Sequence, residues 1–150
     1  MATIKGGDKL GKALAEIAKN AANASSVQIG FMEGATYPDG TSVPLVAALN
    51  EFGVPAHNQP PRPFFRGMIN DKSGEWPEAV AGLLKSTNYD AFKTLDQTGE
   101  AIGGQLKEAI TVYVGPPLSP VTIAKKGFDK QLVDTSVMLN SITHVVEDKS

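Results

Sequence analysis

Residues able to do chemistry are few in this 150-residue chain, and they are scattered. Of the two histidines, His57 lies in a proline-rich stretch and His144 in an alternating apolar segment. Neither has a serine or carboxylate at the spacing of a nucleophile–base pair, so they read as a surface residue and a strand residue. Glu33, Asp39 and Glu51 show no ligand spacing and would meet only through a tertiary arrangement. No metal, cofactor or catalytic residue is expected. The glycines at 99, 103 and 104 follow no strand, so they resemble neither a phosphate loop nor a dinucleotide fingerprint. They lie in a helical pattern where each costs roughly 1 kcal/mol relative to alanine, which leaves two readings, close approach of another backbone or simple tolerance. Lys125, Lys126 and Lys130 lie near Phe128 but beside Asp129 and Asp134, which suits a solvated loop better than a phosphate-binding patch.

The arginines of Pro60-Pro61-Arg62-Pro63-Phe64-Phe65-Arg66 stand apart. Proline stiffens the backbone around Arg62, and a guanidinium held at low entropy suits a bidentate carboxylate, on a partner or on its own Glu51. Adjacent Phe64 and Phe65 point to different faces of a helix, so one would fill the core while the other meets a neighbour, unless the helix is sandwiched. Aromatics with arginine are the types most enriched at interface anchors.

The chain as a whole bounds the possibilities. Its length suits one domain, 41% of its residues are apolar and 20% charged, and its net charge of −2 gives no global pull towards nucleic acid or acidic membrane. Residues 1–24 carry about +2 and residues 73–114 about −3. There is no cysteine, hence no disulfide framework, which suits synthesis in a reducing cytoplasm. No apolar run approaches the roughly 18 residues that span a bilayer, and no signal-peptide core is expected at the N-terminus.

Several elements must position these residues. Asp8 caps an expected helix over 9–23, with Leu10, Ala13, Leu14, Ile17, Ala18 and Ala21 forming a narrow face for packing on a sheet or helix. Val27, Ile29 and Phe31 alternate as a strand, and 34–41 reads as a turn-rich loop. Ser42 caps a helix over 43–52 that stops at Gly53. Residues 54–63 hold too many prolines for regular helix. Helix resumes from Pro63, breaks at Lys72-Ser73-Gly74 and resumes near Trp76-Pro77 as far as Leu84. The longest helix runs over 90–113 and ends at Gly115-Pro116-Pro117-Leu118-Ser119-Pro120. Val121 to Lys126 suits one helical turn, Asp134 caps a short helix over 135–141, and Ile142, His144 and Val146 alternate as a closing strand. The order implies an α+β fold, a small, mostly antiparallel sheet packed against a long helix plus shorter helices.

Val27-Gln28-Ile29-Gly30-Phe31, Tyr37-Pro38-Asp39-Gly40-Thr41 and Val46-Ala47-Ala48-Leu49-Asn50-Glu51-Phe52-Gly53 occur in that order. Pro60-Pro61-Arg62-Pro63-Phe64, Leu132-Val133-Asp134-Thr135 and Leu139-Asn140-Ser141-Ile142 follow. Together, over about residues 27–146, they resemble the tail-completion or neck proteins of tailed bacteriophages. The resemblance implies a non-enzymatic α+β subunit of a homo-oligomeric ring, usually six-fold, around the DNA channel at the head–tail junction. Its partners would be copies of itself, connector proteins and tail tube, with DNA only as passing cargo, in a virion assembled without a membrane. The chain departs from the family at Ser136, where the pattern favours glycine after Asp134-Thr135; serine there suggests an ordinary helical cap.

The interface is expected at Asn50, Glu51, Phe52, Pro61, Arg62, Pro63, Phe64 and Arg66, with the 33–42 loop uncommitted to the core. The role this implies is a tail-completion, or tail-terminator, subunit that caps the tail tube. A head-side adaptor on the portal is the alternative. A hydrolase using Glu51 or His57 has no motif support, and a nucleic-acid-binding module would need steep salt-dependent retention on DNA.

Overall fold

The computed structural model describes residues 5–113 and 136–148. Helix α1 spans Gly7–Ala21 and strand β1 Ala24–Phe31; α2 spans Val43–Phe52, α3 Phe64–Lys72 and α4 Trp76–Ser86. Helix α5 spans Ala91–Val112, α6 Val137–Asn140 and β2 Ile142–Asp148. The expected terminator at 115–120, the turn over 121–126, the lysines with Phe128 and the cap at Asp134 lie outside the described residues.

The fold is α+β. β1 and β2 pair antiparallel, setting Val27 opposite Val146, Ile29 opposite His144 and Phe31 opposite Ile142, with a bulge between Ala24 and Ser26. Residues opposite one another share a face, and that face meets α5: Ile142 and His144 lie beside Gly103 and Gly99. Two strands alone are marginal in water, so this helix is what makes the sheet viable. Asp90 starts α5 by accepting from the Lys93 N–H at 3.0 Å. The buried core joins Val43 and Ala47 of α2, Phe64 and Met68 of α3, Leu106 and Ile110 of α5, Met138 and Ile142. Phe31 meets Phe64 edge-on at 6.3 Å between ring centroids.

Four expectations are corrected. No residue of α1 is buried, its cap is Gly6 at φ 95° rather than Asp8, and Leu10 and Leu14 are 62% and 56% exposed. The apolar stripe of α1 is therefore mostly open to solvent. The 33–42 loop is pinned: Tyr37 donates to the Thr41 carbonyl at 2.8 Å, Val43 to that of Ala35 at 2.9 Å, and Ala35 and Tyr37 pack on the core. Ser136 precedes α6 at φ 62°, without a side-chain cap, so it takes the left-handed conformation that glycine would hold more cheaply. Finally, Gly99 and Gly103 lie under side chains of β2 rather than against a backbone, while nothing comes within 4 Å of a Cβ built at Gly104.

Candidate functional site

Helix α2 begins at Ser42, whose hydroxyl accepts from the Leu45 N–H at 3.4 Å, and tolerates Pro44 in its first turn. It ends at Gly53, with φ 73° and ψ 174°, where a Cβ would sit 2.6 Å from Pro61 N and 2.7 Å from Gln59 O. Only glycine combines that conformation with that clearance. The chain then folds back on the helix it has just left. Val54 and Gln59 exchange backbone hydrogen bonds of 2.9 and 3.1 Å around a short 3-10 turn at Pro55–His57, which carries His57 exposed. Arg62 N–H donates to the Asn50 carbonyl at 2.6 Å and locks the strap onto α2.

Helix α3 has no side-chain cap from its own start, since Pro63 stands there. Glu51 of α2 supplies it instead. Its carboxylate accepts from the N–H groups of Phe65 and Arg66 at 3.0 and 3.1 Å, an anion placed at the positive end of a helix. The same carboxylate takes Arg66 Nε at 2.7 Å, while Arg66 Nη2 donates to the Glu51 carbonyl at 3.1 Å. The guanidinium lies 5.0 Å from the centre of the Phe52 ring, so α2's last aromatic, the carboxylate and the arginine form one clamp.

The expected interface residues therefore divide. Glu51, Arg62 and Phe64 are buried within the subunit, at 6%, 8% and 2% exposure, and belong to its own structure. Asn50 is half-buried, whereas Phe52, Pro61, Pro63 and Arg66 are exposed. Arg62 does not take Glu51, because Arg66 already holds it. Arg62 Nη1 lies 3.5 Å from Asn50 Oδ1, and its buried Nε has no hydrogen-bond partner among the described residues. Burial raises the Tyr113 hydroxyl above its ordinary pKa; nearby Arg62 opposes that rise and Glu51 adds to it. Phe64 is the aromatic that fills the core, and half-buried Phe65 packs against it.

Spacing did not foretell one pair. His144 Nε2 lies 2.8 Å from Asp96 Oδ1, across the junction of β2 and α5. The signal was Gly99, one turn along α5 from Asp96, where a Cβ would stand 2.6 Å from the imidazole ring. The bare glycine admits the ring, and the ring reaches Asp96. Among the described residues no cluster of three or more His, Asp or Glu could hold a metal, and no helix is long and apolar enough to cross a membrane. Comparisons with protein-family models, with curated proteins and with solved structures gave no match.

Proposed function

We propose that this chain is a structural virion protein at the head–tail junction of a tailed bacteriophage, a tail-completion subunit that forms a ring, caps the tail tube and joins it to the head connector. The observation that carries the reading is the coupling of the two stretches on which the family resemblance is most specific. Asn50 and Glu51 bind the backbone of Arg62, Phe65 and Arg66, and so make the helix stop and the strap one rigid unit. That unit holds Phe52, 65% exposed, together with Arg66, Pro61 and Pro63 on a preorganised ledge. A ledge already fixed by its own hydrogen bonds loses little entropy on association, and aromatic–arginine anchors suit such a contact. Copies meeting head to tail through two different surfaces close into a ring when the rotation permits. A net charge of −2 suits a conduit that lets DNA pass without gripping it. No cofactor, metal or catalytic step belongs to this proposal.

The test is imaging of the purified protein mixed with tail tubes and, separately, with DNA-filled heads. Rings seated on the tube end support tail completion; seating on the portal assigns the head-side adaptor role; binding to neither rejects both. Phe52→Ala with Arg66→Ala is expected to weaken assembly at least about tenfold while the fold persists, as loss of anchor residues does. Phe64→Ala is expected to lose about 3–5 kcal/mol of subunit stability, because it empties a core position.

A further inference from the structure

Helix α1 and the groove between α3 and α5 complement each other, and we infer that α1 of one copy docks into the α3–α5 groove of the next. This deepens the proposed function, on which it rests only in taking the chain to self-associate. A 15-residue helix with no buried residue gains little from its own subunit, and isolated helices of that length are marginal in water. Its contacts gather at the C-terminal end: Asn20 donates to the Asn88 carbonyl, and the Asn23 side chain joins Asp90 and the Phe92 N–H. The rest carries Leu10 and Leu14 on one face, with Lys9, Lys12 and Lys19 flanking or opposite them. That is the pattern of a helix made for a groove.

Among the described residues, two open grooves have the most apolar linings. One, between α2 and α3, is edged by Arg66, whose pairing with Glu51 leaves that rim no net negative charge to draw a lysine-rich helix. The other, of about 390 Å³, runs between α3 and α5 over Phe64, Met68, Ala109 and Val112. Its rim carries exposed Asp71 and Glu108 against half-buried Lys72, and Val112 is 60% exposed. Residues 5–21 bear four lysines and two acids, so charge selects the second groove.

The helix cannot fill its own copy's groove. At 1.5 Å per residue, Leu14 lies about 9 Å and Leu10 about 15 Å from the anchored Asn20, whereas Gln105 lies about 22 Å along α5 from Asp90. Among the described residues no other helix of the same copy lies over it, so an α1 that docks there belongs to another copy. Donor helix and acceptor groove are different surfaces, so the contact is heterologous and propagates around a ring.

The chain has no cysteine, which makes the test clean. Leu10→Cys or Leu14→Cys protein is mixed with Ala109→Cys or Val112→Cys protein under mild oxidation. Intermolecular disulfides are expected across the mixed pairs, and a chain carrying both cysteines should give a ladder of covalent oligomers. Leu10→Asp with Leu14→Asp should weaken self-association about 100-fold, with an unchanged melt because both side chains are exposed. Wild-type protein that assembles while no pair cross-links overturns the inference and leaves the ring reading standing. Cross-linked rings that bind neither tail tubes nor filled heads keep the α1 contact and remove the junction role. Retention of α1 on phosphatidylglycerol vesicles without any cross-link overturns the inference in favour of a lipid surface.

Discussion

A buried carboxylate needs hydrogen-bond donors on both oxygens, and Glu51 finds three: two backbone N–H groups at the start of α3 and Arg66 Nε. The backbone pair matters more for stability than the arginine, since the Arg66 side chain is 57% exposed and its ion pair is screened by water. Glu51→Ala is therefore expected to destabilise by about 2–4 kcal/mol, because it strands donors that α3 cannot satisfy otherwise. Glu51→Gln, which keeps an acceptor, should lose about half as much. Arg66→Ala should lose less than about 1 kcal/mol. Urea titration of the three variants checks this, and equal losses for Glu51→Ala and Arg66→Ala would mean that the ion pair, and not the cap, joins α2 to α3. The same division explains why Arg66 remains suited to an interface while Glu51 does not.

Helix α5 shows how far elements are legible before they are folded. Its length and apolar spacing follow from helical periodicity alone, and the Ser42 cap and Gly53 stop of α2 were readable from capping chemistry; that Asp90 caps α5 shows only in the structure. What its glycines meet was not, because that depends on the register of a strand well beyond the end of the helix. The structure makes two of them opposites. Gly99→Ala would drive a methyl into His144 and is expected to destabilise by about 1–3 kcal/mol. Gly104→Ala meets open space and should stabilise by up to about 1 kcal/mol. Thermal melts that moved both variants in the same direction would contradict this packing of β2 on α5. The split of the strap was hidden for a similar reason: Arg62 and Arg66 flank Pro63, and only the turn of α3 decides which one meets Glu51. At the start of α5, the Lys93 N–H and then the Asn23 amide hold Asp90 below its ordinary value of 3.8. A depressed folded-state pKa contributes stability that is present above the unfolded value and lost as pH falls through the folded one. Asp90→Asn, which still caps, should therefore remove part of the acid limb of a stability–pH curve below about pH 4 and leave the curve near neutrality little changed.

At the scale of the whole molecule the chain closes on itself: β1, near its start, is paired with β2, near its end, from Ala24 opposite Asp148 to Phe31 opposite Ile142. Helices α2 to α6 lie between these strands in sequence, so the sheet cannot form until nearly the whole chain is in place. Such long-range closure slows folding, because loop entropy is lost before the pairing rewards it. It also divides the molecule into a closed body and an appendage. Met138 of α6 and Ile142 of β2 belong to the core, at 2% and 6% exposure, whereas α1 contributes nothing to it. Deleting residues 137–150 should therefore abolish the cooperative melt, since β1 loses its partner and α5 a face. Deleting residues 1–19, which spares Asn20 and Asn23, should shift the midpoint by less than about 4 °C, the shift that roughly 1 kcal/mol produces in a domain of this size. The two truncations separate folding from assembly. If α1 serves only other copies, its removal leaves a folded subunit that no longer associates, and circular dichroism beside light scattering would record both. A body that melts early without α1 would instead make the helix part of the fold, and its open stripe would need another explanation.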